Sequence, residues 1–194
     1  AQARLLHLAP SEAWAAAAPN APAGPGYGVY AWHGAELLER GDRPERLVAD
    51  LRRRHIERLL LSFDADQVAA LSRPEYRRRW QVLLDHLRKE GVRSELLLGE
   101  PLWILKAHRP RLLALIRDLG DLPFSAIHLD LEPDQIPSHA EGREDLWPQL
   151  LETVGEVKAT TRRPVGLSVH PRYLDPRRPN GGWGPRLAAL GVDE

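Results

Sequence analysis

A chain of 194 residues, 43% hydrophobic and 28% charged, carries enough apolar side chains for a packed core, and one domain is expected. Lysine plus arginine and aspartate plus glutamate both number 27, so no global field draws the protein to nucleic acid or an anionic membrane. No run approaches the ~18 consecutive apolar residues of a membrane span, and the absence of cysteine excludes disulfides, thiolate metal sites and a cysteine nucleophile.

Position 1 is not methionine, so the first residue is expected to follow a processing or cut site. Ala1-Gln2-Ala3 suits the remnant of a small-residue signal-peptidase site, and Ala/Pro-rich sequence follows to Gly26. Residues 1–26 therefore read as an N-terminal segment ahead of a domain over 27–194, and a periplasmic or extracellular location is the expectation. An arbitrary cut point followed by a linker is the alternative.

From Tyr27 onward, short apolar runs alternate with longer amphipathic ones, the pattern of parallel strands joined by crossover helices. The expected strands are 27–32, 58–63, 93–98, 124–131 and 165–169. The expected helices are 44–55, with Pro44 in its first turn, 74–89 behind Ser72 as a cap, 110–119, 144–161 and a short one over 185–190. Glu90-Gly91-Val92-Arg93 before the third strand and Leu190-Gly191-Val192-Asp193 at the end form a faint repeat, each with a glycine placed to stop a helix. By that comparison the chain ends where a sixth strand begins. The fold class expected is α/β, the first five βα units of a (β/α)8 TIM barrel, whose full form takes about 250 residues. A fragment is thus expected, with a complete open five-stranded sheet as the rival.

Within the fourth strand, alternation puts Phe124, Ala126, His128, Asp130 and Glu132 on one face and Ser125, Ile127, Leu129 and Leu131 on the other. The second set is mostly aliphatic and suits a helix layer. The first grows polar toward the strand's carboxyl end, where barrel and open α/β enzymes carry their sites. An imidazole and two carboxyls there are costly to bury unless they are paired or in use. Pro133 stops the strand and holds Glu132 at the rim. Residues i and i+2 on a strand lie roughly 6.5–7 Å apart, so the charge of Asp130 is expected to raise the pKa of Glu132 and suit it to general-acid work, with His128 in support. The plainer alternative is a buried network in which His128 and Asp130 satisfy each other.

The stretch Ser125-Ala126-Ile127-His128-Leu129-Asp130-Leu131-Glu132 resembles the Asp-x-x-Asp-x-Asp-x-Glu motif on the fourth strand of the chitinase-type family 18 glycoside hydrolases and related glycosidase-like barrels. The resemblance implies that Glu132 is the general acid/base and that Asp130 orients the substrate's acetamido group, which acts as the nucleophile. Ser125 and His128 replace the first two acids, and Leu131 stands where Trp or Tyr is common. A substrate without an acetamido group requires a second carboxylate, for which Asp64, Asp66 and Glu100 are candidates at other strand ends.

Aromatic residues follow the strands as well: Trp32, Trp103, Tyr173, and Trp183 in the Gly-rich loop Asn180-Gly181-Gly182-Trp183-Gly184. Indole and phenol faces suit the C–H faces of sugars, so Trp32, Trp103 and Tyr173, with His33, Glu100 and His170, are the expected substrate-binding residues, against packing as the alternative for each aromatic. Trp80 and Trp147 fall in helical periodicity and are assigned to packing. The runner-up chemistry is a metal-dependent hydrolase in which His33, His128, Asp130 and His170, with Glu132, share zinc or manganese. Arg172, Arg177 and Arg178 suit an anionic sugar or phosphate, or a solvated loop. Arg52-Arg53-Arg54 and Arg77-Arg78-Arg79 read as exposed helix faces. No Gly-x-Gly-x-x-Gly and no phosphate-cradling loop with lysine is present, so no cofactor is expected. The sequence thus points to a barrel glycosidase acting on a carbohydrate, with a non-catalytic carbohydrate-binding barrel as the second class.

Overall fold

The computed structural model describes residues 27–40, 44–136, 146–175, 177 and 182–192. The N-terminal segment 1–26, Arg178, Asn180, Gly181 and Asp193 lie outside these. The architecture is α/β, with a five-stranded all-parallel sheet in the order β1-β2-β3-β4-β5. Its strands are β1 (Tyr27–Ala31), β2 (Ile56–Ser62), β3 (Arg93–Leu98), β4 (Ala126–Leu129) and β5 (Val165–Leu167). The chain divides into two compact units, one ending at Leu96 and the other beginning at Leu97.

In the first unit, β1 pairs with β2 in register Gly28↔Arg58 through Ala31↔Leu61. Helices α1 (Gly34–Arg40), α2 (Pro44–Arg53), α3 (Ala65–Ala70) and α4 (Pro74–Lys89) accompany them. Helix α2 stops two residues short of expectation because His55 takes a left-handed backbone (φ 55°), and its carbonyl then accepts from the Tyr27 amide at 2.7 Å. Helix α4 occupies the expected span and buries Trp80, Leu83, Leu84 and Leu87, the apolar row of a 3.6-residue period. Ser72 is not its cap: Arg73 holds that position and the Ser72 hydroxyl donates to the Ala69 carbonyl at 2.6 Å. Gly91 ends the helix in the left-handed region (φ 80°), which lets the Val92 amide reach back to the Leu87 carbonyl at 2.9 Å. Trp80 is fully buried as expected, with Phe63 edge-on at 4.8 Å.

Helix α1, which the periodicity did not announce, starts where the backbone runs close to β2. A Cβ on Gly34 would lie 2.8 Å from the Ser62 carbonyl oxygen, with the Trp80 ring 3.6 Å away. Gly34→Ala is therefore expected to cost about 1–3 kcal/mol, because backbone has to move to admit the methyl group. Urea unfolding at fixed pH checks this; an unchanged midpoint would show that the approach relaxes freely.

In the second unit, a 3-10 turn (Pro101–Ile104) leads to helix α5 (Arg109–Asp118), a second 3-10 turn (Pro133–Gln135) follows β4, and α6 (Leu146–Thr160) precedes β5. A third turn (Pro171–Tyr173) and α7 (Gly184–Ala189) follow it. Helix α6 buries Leu146, Trp147, Leu150, Thr153, Val154 and Val157 along one stripe. Arg109 occupies a core-facing position of α5, an arrangement nothing in the local pattern announced. Its guanidinium bonds Glu156 at 2.6 Å and Glu152 at 3.4 Å, and also reaches the Gln149 carbonyl at 3.2 Å. A buried charge is tolerable there because it is paired and hydrogen-bonded. Gly191 repeats the left-handed stop of Gly91 (φ 65°), as the faint repeat implied.

Candidate active site at the end of strand β4

Strand β4 is shorter than its apolar run. Its four residues, Ala126 to Leu129, are all buried, and Ile127, Leu129 and the following Leu131 are at most 3% exposed. The parallel partner fixes His128↔Gly166 and Leu129↔Leu167. Beyond the ladder the chain stays extended: the Asp130 amide donates to the Leu98 carbonyl at 2.9 Å, and Glu132 keeps an extended backbone before the turn that begins at Pro133. The ladder ends at Leu129, short of the expected strand, so Pro133 opens the turn that follows Glu132 and is not what stops the strand.

His128 is 5% exposed, whereas Asp130 and Glu132 are half-buried. The His128 Nε2 lies 2.8 Å from the Ser168 Oγ, just beyond β5. Glu132 Oε2 accepts from the Gln135 side-chain amide at 2.7 Å, a bond across the turn that Pro133 starts. Gly99 runs alongside, and a Cβ there would meet the Asp130 Cβ and carbonyl oxygen at 3.4 Å, an ordinary packing distance.

The carboxyl that the geometry pushes up in pKa is that of Asp130. Burial pushes the Asp130 carboxyl above its ordinary value, the nearby Glu132 carboxylate adds to the rise, and the His128 imidazole opposes it. The cause is depth, because Asp130 lies one residue beyond the buried ladder while Glu132 has already reached the turn. A carboxyl whose folded pKa lies above its unfolded value binds its proton more tightly in the folded state. The associated stability is present below the unfolded pKa and is lost as pH rises through the folded one. Asp130→Asn is therefore expected to flatten the decline in stability between about pH 4 and neutrality and to leave the variant more stable than the parent at about pH 7. Urea midpoints at the two pH values test it, and a variant less stable at both contradicts the assignment.

Other expected site residues have local uses. Asp64 caps α3 in a reciprocal box: its carboxylate accepts from the Gln67 amide at 2.8 Å while the Gln67 side chain accepts from the Asp64 amide at 3.2 Å. Asp66 lies exposed in the first turn of α3, where its charge suits the helix N-terminus. Glu100 caps the turn Pro101–Ile104, accepting from the Leu102 amide at 3.3 Å. Tyr173 is a correction in use: it is 7% exposed and packs against Trp147 at 4.6 Å, and Trp147 in turn stacks on Trp183 at 5.2 Å. Arg186 covers the Trp183 ring at 4.7 Å. These rings build a small aromatic core, so Tyr173 has no free face to offer a ligand.

Trp32 remains available, exposed and stacked on Tyr30 at 5.7 Å. Tyr30 lies on β1 and Trp32 just past its end, and the i, i+2 spacing of extended chain puts the two rings on one face. Trp103 is half-buried, and its carbonyl accepts from the Thr153 hydroxyl at 3.4 Å. His33 and His170 are exposed; the His170 ring meets Tyr173 edge-on at 6.3 Å. Among the described residues no group of three or more His, Asp and Glu side chains is placed to hold a metal ion, so the ligand set drawn from His33, His128, Asp130 and His170 is not brought together. Arg177 pairs with Asp175 at 2.9 Å in its own loop. Arg52, Arg53, Arg78 and Arg79 are exposed, as on solvated helix faces, whereas Arg54, just past the end of α2, and Arg77, which donates to the Leu71 carbonyl at 3.3 Å, are half-buried.

No family model and no curated protein matches this chain.

Proposed function

We propose that this chain is part of a glycosidase-type (β/α) barrel that hydrolyses a polysaccharide, with Glu132 as the general acid/base. The observation that carries this reading is the placement of Glu132: half-buried at the exit of β4, held by the Gln135 side chain and two residues from a half-buried Asp130. The sequential strand order supports the barrel, because doubly wound sheets reverse direction at a switch point and this order does not.

In this reading the Glu132 carboxylic acid gives its proton to the glycosidic oxygen as the C1–O bond breaks. The substrate's acetamido oxygen closes on C1, with Asp130 holding the acetamido N–H. Water then opens the ring and returns a proton to Glu132. Asp64 and Glu100 each cap their own turns, which leaves the exposed Asp66 as the candidate for a second enzymic carboxylate where the substrate has no acetamido group. Trp32 provides an exposed face of the kind that sugar rings stack on.

The test is reducing-end release from a panel of soluble oligosaccharides and polysaccharides, with and without N-acetyl groups. Turnover confined to N-acetylated substrates supports the mechanism. Binding without turnover across the panel replaces it with a carbohydrate-binding barrel, and neither binding nor turnover overturns both.

A further inference from the structure

Ser168 follows β5, and its backbone amide donates to the Leu129 carbonyl at 2.8 Å, so its position is tied directly to β4. The residue opposite His128 in the parallel register is Gly166, which presents no side chain. Two residues on, the same-face side chain is that of Ser168, and its hydroxyl meets the imidazole Nε2 at 2.8 Å. The ring is buried, and which imidazole nitrogen carries a proton is set by the hydrogen bond the other makes.

We propose that Ser168 is a positioning residue that fixes the plane and the proton location of the His128 imidazole, and through it the environment of Asp130. The imidazole lies two residues before Asp130 on the same strand face, close enough to act on that carboxyl's charge. Without the hydroxyl the ring loses its bond at Nε2, and the polarity it presents to Asp130 is no longer set by Ser168. The activity arm of the proposal rests on the glycosidase reading, whereas its spectroscopic arm does not.

The experiment compares the parent with Ser168→Ala and Ser168→Thr by 15N chemical shifts of the His128 ring, by 13C titration of the Asp130 carboxyl, and by kcat and KM on the best glycan. The alanine variant is expected to lose the single ring tautomer, to move the Asp130 midpoint upward, and to lower kcat about tenfold with KM unchanged. Threonine, which keeps the hydroxyl, is expected to restore all three. Ring signals and an Asp130 midpoint that are the same in the alanine variant as in the parent overturn the proposal. If the parent cleaves no glycan while the ring signals and the midpoint still shift, the hydrolase reading fails and the Ser168 assignment stands. Should the alanine variant not fold, Ser168→Cys, a weak acceptor of similar size, carries the same measurements.

Discussion

Glu132→Gln is expected to lower kcat by about 10²–10⁴-fold while leaving glycan affinity nearly unchanged. The amide is close in shape to the carboxyl and is still able to accept from the Gln135 side chain, but it has no proton to give to a leaving oxygen. The loss therefore belongs to the transition state and not to ground-state binding. Kinetics and isothermal titration on one oligosaccharide separate the two. A variant that keeps its turnover removes Glu132 from the chemistry, and one that loses binding in proportion assigns it to substrate contact only.

Arg58→Met is expected to destabilise the chain by about 3–5 kcal/mol. Arg58 and Glu95 form a two-pronged pair between β2 and β3, with Nε to Oε1 at 2.6 Å and Nη2 to Oε2 at 2.7 Å. The Glu95 side chain is 5% exposed and that of Arg58 19%, so removing the guanidinium leaves a carboxylate in a place with little water. Such a group either stays charged at high cost or takes up a proton, which makes the single variant more sensitive to rising pH than the parent. The double variant Arg58→Met/Glu95→Leu, with neither charge, is expected to recover most of the loss. Denaturant unfolding of the two single variants and the double variant completes the cycle. A double variant as unstable as Arg58→Met would show that the pair supplies shape and not charge compensation.

The polar end of β4 was legible because it depends on two local rules. Alternation places His128, Asp130 and Glu132 on one face, and a proline at 133 opens the turn that follows. The α3 cap is legible in the chain too, since Asp64 followed three residues later by Gln67 is a helix-start signature. Helix α1 left less trace, because it depends on a close approach of Gly34 to β2 that local periodicity does not encode. Arg109 is the opposite case: an arginine in an apolar helical row looks like a surface residue until two glutamates 43 and 47 residues later are seen to meet it.

What the sequence determined by itself is the βα rhythm, the burial of Trp80 and Trp147, and the run of ionisable groups closing β4, because periods of 2 and 3.6 residues are properties of the local chain. Only the tertiary structure decided that Tyr173 serves an aromatic core, that Glu100 serves a turn, that Ser168 meets His128, and that burial raises Asp130. Each of these is a matter of which groups become neighbours and how much water is left between them. Desolvation and pairing are set by residues distant in the chain, to which a local pattern is blind.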